Sequence, residues 1–181
     1  ILNDPIYGFI TLNKGILLNI VDHPYFQRLG RIKQLGLTYL VYPGAHHTRF
    51  HHAIGAAHLM EQAVQTLKDN GIEISNDEKM AVILAILLHD IGHGPFSHAL
   101  ENSFVTGVSH EEISNFFMNS LNHELGGDFP KVAGPLRVLR LVGMAAEAAS
   151  RDVSTLPAFS ALLLRLYCQR FLSASSSLGW A

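Results

Sequence analysis

Residues 80–98 read MAVILAILLHDIGHGPFSH, an uninterrupted apolar run followed at once by a histidine, an aspartate and a glycine-rich break. The run Met80–Leu88 is apolar on every side of a helix, so we expect this helix to be buried. Asp90 stands just beyond the run, where desolvation of a carboxylate is costly unless something compensates it. An arginine partner, backbone donors or a bound cation could do so. His89 beside it favours the cation, and an arginine partner is the alternative.

A second helix is predicted from about Phe50 to Asn70, closed by Gly71 at the left-handed cap position. Its 3.6-residue period sorts the side chains onto two faces. The polar face contains His51, Gly55, His58, Gln62, Gln65 and Asp69, and the apolar face contains His52, Ala56, Leu59, Ala63 and Leu67. His52 is therefore predicted to point inward, either as a hydrogen-bonded core residue or as a metal ligand, whereas His51 points outward.

Shorter signals complete a helical prediction. The opening Asp4–Leu12 mixes β-forming residues with turn residues, which predicts a short strand or hairpin. A cap with proline at Asp22–Pro24 predicts a helix over Phe26–Ile32. Capping boxes at Ser75–Glu78 and Ser109–Glu112 predict two further helix starts. The predicted fold class is all-α, a helical bundle with a short N-terminal β-hairpin element.

The composition excludes several classes of protein. Hydrophobic residues are 48% and charged residues 15% of the 181 residues, which is enough apolar sequence for a buried core. The longest apolar run is about half of the ~18–20 residues that a membrane span needs, so we expect no membrane association. A net charge of −2 argues against nucleic acid as a partner. A single cysteine, Cys168, suits a reducing compartment, and we expect the cytoplasm.

Two motifs together carry a resemblance to a known family. Arg49-Phe50-His51-His52 is followed by Leu87–His98, which contains the dipeptide His89-Asp90. This combination resembles the HD-domain metal-dependent phosphohydrolases, and it is closest to the branch that contains the deoxynucleoside triphosphate triphosphohydrolases. The stretches Phe26–Leu29, Ile32–Gly36 and Tyr42–Ala45 fit the same branch. The resemblance covers about residues 3–127.

The resemblance implies metal ligands for this chain. The implied ligands are His52, His89 and Asp90, and His52 is also the histidine that the helical period turns inward. In the family a later aspartate completes the set, within an Asp-x-Asp-Arg-x-Asp-Tyr-type stretch that this chain lacks. Asp152 follows Asp128 as the next aspartate and stands near the expected distance, so it is the candidate fourth ligand. The alternative for Asp152 is a solvated pair with Arg151.

The same resemblance divides the chain into two parts. Residues 1–130 correspond to an HD-domain core. Residues 131–181 form an atypical C-terminal helical tail that matches the family poorly. Family members commonly assemble, so the resemblance also implies a homo-oligomer.

Further residues are expected around the metal. His110 is implied as the proton donor or phosphate partner, and it stands in the first turn of a helix, where partial positive charge favours an anion. His93 and His98 are implied to line the site, with capping of backbone groups in a loop as the alternative. Arg49 stands three residues before His52, roughly on the same helical face, and suits a bidentate phosphate contact.

The implied substrate is a nucleotide or another phosphorylated small molecule, with Gln34 and Leu35 approaching the sugar and base. The favoured function is a deoxynucleoside triphosphate triphosphohydrolase-like enzyme that uses a metal-activated water. Two alternatives remain open. One is a phosphomonoesterase or cyclic-nucleotide phosphodiesterase on the same site, and the other is a catalytically impaired nucleotide-binding regulatory domain. Imidazole and carboxylate ligands accept Mn, Mg, Fe, Ni or Zn, so the metal is expected to be one of these divalent ions.

Overall fold

A computed structural model of the chain describes residues 1–12, 15–96, 110–127 and 129. Within these residues the chain forms one two-stranded hairpin, five α-helices and two short 3-10 helices. In chain order they are β1 (Leu2–Asp4), β2 (Gly8–Ile10), α1 (Ile16–Asp22), α2 (Pro24–Gln27), the 3-10 helices Arg28–Arg31 and Thr38–Leu40, α3 (Arg49–Asp69), α4 (Asn76–Leu88) and α5 (His110–Glu124). The predicted all-α fold with a short N-terminal hairpin is confirmed. None of the helices in this part of the chain has the length and apolarity that a membrane crossing requires.

The N-terminal hairpin is antiparallel, with Asn3 of β1 opposite Phe9 of β2. The Asp4 side chain stabilises the connecting turn, because its Oδ1 accepts hydrogen bonds from the backbone N–H groups of Ile6 and Tyr7 at 2.8 and 2.9 Å. A carboxylate at this position accepts hydrogen bonds from two backbone N–H groups of the turn that take no part in strand pairing.

The helix predicted over Phe26–Ile32 is shorter than expected. Pro24 begins α2, and the His23 side chain accepts a hydrogen bond from the Tyr25 backbone N–H at 3.3 Å, as a cap does. The α-helix ends at Gln27, and a 3-10 turn continues it. Phe26, Leu29 and Ile32 are all buried. Their spacing of three residues matches a 3-10 helix, which has three residues per turn. The three apolar side chains therefore remain on one buried face although the helix type changes.

The chain separates into two compact units, and each has its own apolar residues in the interior. Among the described residues, the first unit contains 1–12, 15–55, 86–96, 110–127 and 129. Its large buried side chains are Ile20, Phe26, Leu29, Leu87, Leu88, Ile91 and Leu121. The second unit contains, among the described residues, 56–85. Its buried side chains include Met60, Val64, Leu67, Val82, Ile83 and Leu84.

Helix α3 confirms the assignment of its two faces. Ala56, Leu59, Ala63 and Leu67 are buried, while His51, Gln62, Gln65 and Asp69 are exposed. Two residues of the predicted polar face differ, since His58 is half-buried and Gly55 is buried. A Cβ atom there would lie 3.1 Å from the Tyr7 ring, so the helix surface at Gly55 is covered by that ring.

Both ends of the loop between α3 and α4 follow the predicted capping chemistry. Gly71 has φ +84°, and its N–H donates to the Lys68 carbonyl while the Ile72 N–H donates to the Leu67 carbonyl. This is the Schellman pattern of a helix C-terminus. At the start of α4, the Ser75 and Glu78 side chains each accept a hydrogen bond from the other residue's backbone N–H, at 3.2 and 2.9 Å. The predicted capping box is therefore confirmed.

A glycine substitution tests the packing of the segment before α3. Gly36 has φ +56°, and a Cβ atom there would lie 3.3 Å from the Phe96 carbonyl oxygen. Gly36→Ala should lower the free energy of unfolding by about 1–2 kcal/mol, since left-handed backbone is unfavourable for a residue with a side chain. Gly30→Ala is the matched control, because Gly30 has nothing within 4 Å of that position and lacks a positive φ. Urea unfolding measures both variants, and an equal loss in the two would contradict the left-handed backbone and close contact assigned to Gly36.

Candidate metal centre

The site is built from the N-terminal end of α3 and the turn that follows α4. Arg49 and His52 lie in the first turn of α3. The apolar helix α4 ends at Leu88, so His89 and Asp90 belong to the turn and not to the helix. Within the turn, the Ile91 N–H donates to the Leu88 carbonyl at 3.0 Å, and the His93 N–H donates to the Asp90 carbonyl at 3.1 Å.

The Asp90 carboxylate lies among four basic side chains, and its side chain is only 3% exposed. Its Oδ2 atom lies 2.5 Å from Arg49 Nη1 and 3.9 Å from His52 Nε2. Its Oδ1 atom lies 3.3 Å from both His89 Nε2 and His93 Nδ1. Of these neighbours, His52 and His89 are the implied metal ligands, and His93 is implied to line the site. Arg49 is the residue predicted to contact phosphate.

The backbone fixes the tautomer of His89. Its Nδ1 atom lies 2.6 Å from the Ile86 carbonyl oxygen. A carbonyl can only accept, so Nδ1 carries a proton, and Nε2 is the ring nitrogen that faces Asp90. Metal-ligating histidines use this arrangement, because the carbonyl orients the ring and makes the free nitrogen more basic.

The donor set fits a divalent cation. One ligand atom each from His52, His89 and Asp90 can be chosen so that all three atoms lie within 4.8 Å of one another. Two imidazoles and a carboxylate are donors that Mn, Fe, Ni and Zn accept readily. The structure thus brings together His52, His89 and Asp90, the three residues that the resemblance implies as metal ligands.

Arg49 occupies a different place from the one expected. It was predicted to contact a phosphate, and in the structure it is 2% exposed and pairs with Asp90. An arginine partner, the alternative to a bound cation for stabilising the Asp90 carboxylate, is therefore present together with the imidazoles. A phosphate contact by Arg49 stays a prediction.

The charges in the site shift the pKa values of two of its residues. Burial raises the pKa of Asp90, but His89 and Arg49, aided by His93 and His52, lower it by more, so the pKa lies well below its usual range. Burial and, after it, the neighbouring His89 lower the pKa of His52 to about 4, while Asp90 opposes the shift. His52 is therefore neutral near pH 7, which is the protonation state that binds a metal.

Gln34 and Leu35 lie beside the start of α3. The segment before them pairs with the residues that lead into the helix, since the Gln34 N–H donates to the His47 carbonyl at 3.0 Å and the Arg49 N–H donates to the Ile32 carbonyl at 2.9 Å. Leu35 is 48% exposed. The Gln34 Oε1 atom is buried and has no hydrogen-bond partner among the described residues.

For three predicted site residues, either the side chain or the whole residue lies outside the described part of the chain. His110 begins α5, as the capping box predicted, but its side chain lies outside the described residues. His98 and Asp152 also lie outside them. Conversely, no individual role was predicted for Arg28 or Ser114, whose side chains hydrogen-bond the backbone of the turn at 89–93. Arg28 was noted only within the family-like stretch Phe26–Leu29, and no pattern singles out Ser114.

Comparison with known proteins identifies the family. Residues 49–144 match the HD domain family, which is more than half of the chain. This chain belongs to the HD domain family. The site described above lies within or just before that match, and the expected resemblance is confirmed.

Relatives of this HD domain are triphosphohydrolases and a phosphohydrolase. The deoxynucleoside triphosphate triphosphohydrolase SAMHD1 of Danio rerio is 48% identical over 107 residues, or 58% of this chain. The SAMHD1 protein of Homo sapiens is 46% identical over the same length. A crystal structure of a phosphohydrolase from Bacteroides thetaiotaomicron has a TM-score of 0.74 and 45% identity over 90% of this chain. The chain spans 17% of the length of these two curated relatives and 45% of the solved one.

Replacement of Arg49 tests how far this HD domain depends on the buried ion pair. Arg49→Met replaces the arginine with an apolar side chain, so the Asp90 carboxylate loses its closest cation. We expect a loss of about 3–5 kcal/mol in the free energy of unfolding, since removal of one partner strands a buried charge. Arg31→Met, on an exposed arginine, should change it by less than about 0.5 kcal/mol. Urea unfolding of the metal-free chain measures both, and similar losses would contradict the role of the pair.

The pH dependence of stability tests the environment of His52. Below about pH 6.5 the unfolded chain protonates this histidine, whereas the folded chain holds it neutral down to about pH 4. The lowered pKa of His52 therefore reduces the free energy of unfolding of the metal-free protein as the pH falls through that window, by roughly 3 kcal/mol in all. In His52→Gln this loss should be absent, so wild type should lose stability relative to the variant between pH 7 and pH 4. Chemical unfolding in the presence of a chelator measures the difference, and a constant difference would contradict the assigned pKa.

Proposed function

We propose that this HD domain is a metal-dependent phosphohydrolase whose substrate is a deoxynucleoside triphosphate. The observation that carries the proposal is the convergence of two imidazoles and one carboxylate within 4.8 Å. That cluster lies in the region that is 46–48% identical to deoxynucleoside triphosphate triphosphohydrolases. Membership of the HD domain family supports hydrolase activity in general. The choice of a deoxynucleoside triphosphate as the substrate is the more specific part of the proposal.

The metal, when bound by His52, His89 and Asp90, would supply a Lewis acid and lower the pKa of a bound water toward ~7. The protein's own residues prepare the site for it. The Ile86 carbonyl orients His89, and burial keeps His52 neutral. Asp90 stays ionised because His89 and Arg49, aided by His93 and His52, lower its pKa.

The residues around the ligands suit an anionic nucleotide. Arg49 adds a fixed positive charge beside Asp90, which favours a phosphate nearby. Gln34 provides a buried acceptor, Oε1, for a sugar hydroxyl, and the half-exposed Leu35 provides an apolar surface for a base. His110 begins α5, where the helix N-terminus also favours an anion.

Release of the triphosphate as a unit requires cleavage between the α-phosphorus and the 5′ oxygen. Water forms the new bond to phosphorus, and the 5′ oxygen takes up a proton as it leaves. We assign that proton to His110, with His93 and His98 lining the site. In the structure, His93 contacts Asp90 through Nδ1 at 3.3 Å.

The remaining assignments are parts of the same proposal. Asp152 is proposed as the fourth ligand, from the tail at residues 131–181 that follows the core at residues 1–130. We further propose a homo-oligomer and a cytoplasmic location. The metal is proposed to be Mn, Mg, Fe, Ni or Zn.

The test of the function combines product analysis with matched variants. The full chain is incubated with manganese, magnesium or ferrous iron and a panel of deoxynucleoside triphosphates. Phosphorus NMR and chromatography should find whole tripolyphosphate and a deoxynucleoside. His89→Ala and Asp90→Ala should abolish turnover, whereas His51→Ala, on the exposed face of α3, should stay near wild type.

Other products would redirect the proposal. Orthophosphate would indicate a phosphomonoesterase, and a linear nucleotide from a cyclic one would indicate a phosphodiesterase. Retained nucleotide binding without turnover under every metal would support a regulatory domain in place of an enzyme. Equal damage from His51→Ala would contradict the assigned inward face of α3.

A further inference from the structure

The turn that carries His89, Asp90 and His93 lacks the rigidity of a helix. It begins where α4 ends, and within it the Ile91 and His93 N–H groups donate to the Leu88 and Asp90 carbonyls. A metal site needs its ligands held within about 0.5 Å of the productive geometry by surrounding contacts. Other elements of the fold must therefore hold this turn.

Arg28 holds one side of the turn. From the 3-10 helix Arg28–Arg31, its guanidinium donates through Nη1 to the His93 carbonyl at 2.8 Å and through Nη2 to the Ile91 carbonyl. The guanidinium carbon also lies 4.7 Å from the ring centroid of Phe117 on α5, over the ring face. A planar fork with several donors suits two carbonyls and a ring at once, and the single ammonium of a lysine does not.

Ser114 holds the other side. It is 4% exposed on α5, and its hydroxyl accepts a hydrogen bond from the Gly92 N–H at 2.9 Å. The same hydroxyl donates to the His89 carbonyl at 3.4 Å. One buried hydroxyl thus uses both its donor and an acceptor on the backbone of the turn.

We propose that Arg28 and Ser114 are positioning residues that hold the turn at 89–93 in the conformation that binds the metal. This inference rests on the proposed function of the site as a metal centre. The two side chains fix four backbone groups of the turn, belonging to His89, Ile91, Gly92 and His93. They act on the ligands through the backbone, so their loss should weaken metal binding without removing a ligand.

The experiment measures manganese affinity of the full chain by isothermal titration calorimetry. Ser114→Ala and Arg28→Met should each weaken binding by about 10- to 100-fold, as loss of outer contacts to metal ligands does. Ser120→Ala on α5 and Arg31→Met on the 3-10 helix are the matched controls and should stay within about twofold of wild type. Ser114→Thr keeps the hydroxyl and should restore most of the affinity, whereas Arg28→Lys should restore little.

A second readout separates positioning from stability. The visible spectrum of the cobalt-substituted chain reports ligand geometry, and it should change in Ser114→Ala but not in Ser120→Ala. A lower Tm with wild-type manganese affinity and an unchanged cobalt spectrum would overturn the proposal. Ser114→Ala removes only one oxygen atom, so its manganese affinity and cobalt spectrum test the proposal even if Arg28→Met does not fold.

The outcomes also separate this inference from the proposed function. If wild type binds manganese and the two variants bind it weakly, the inference stands even where no nucleotide is hydrolysed, and only the function fails. If wild type hydrolyses a nucleotide and the variants bind manganese normally, the inference alone fails. Failure of the wild-type chain to bind manganese, magnesium, iron, nickel or zinc would overturn both.

Discussion

The buried carboxylate of Asp90 is the constraint on which the rest of the site depends. With its side chain 3% exposed, it would be strongly unfavourable in isolation, because desolvation of a charge costs several kcal/mol. Arg49 at 2.5 Å and three imidazoles around it supply the compensation. Since Arg49 and His52 begin α3 whereas Asp90 follows α4, the charge also ties together two helix ends that are distant in the chain.

Asp90 serves the ion pair and the proposed metal at the same time. Its two oxygens face different partners, Oδ2 toward Arg49 and His52, and Oδ1 toward His89 and His93. On the proposed function, a divalent cation held beside Arg49 leaves the site with net positive charge after Asp90 is counted. A polyanionic substrate such as a nucleoside triphosphate is favoured in such a field, particularly where burial limits screening by salt.

Local patterns predicted the helices that carry the site. The apolar run to Leu88, the capping box at Ser75 and the glycine cap at Gly71 are interactions between residues close in sequence, so the sequence alone was enough. The helical period also separated His52 from His51. The partner of Arg49 could not be read in this way, because Asp90 stands 41 positions away and a buried arginine and a phosphate-binding arginine look alike in sequence. The cover that Tyr7 gives Gly55 and the ending of α2 at Gln27 are likewise set by tertiary contacts.

The contacts of Arg28 and Ser114 were still harder to foresee, since their partners are backbone groups, which every residue possesses. They make the geometry of the turn depend on where α5 docks. That helix is held at its far end as well, where Glu124 pairs with His23 at 3.0 Å, and in its middle, where the Phe117 ring packs edge-on against Tyr25 at 5.0 Å. The same N-terminal segment, residues 23–28, thus contacts α5 along its length and contacts the turn directly through Arg28. A turn has no continuous series of hydrogen bonds to make it rigid, as a helix has. Residues 23–28 and α5 together therefore hold the turn at 89–93 in place, as a longer helix α4 would have done. The turn at the same time allows the side chains of His89, Asp90 and His93 to lie close together.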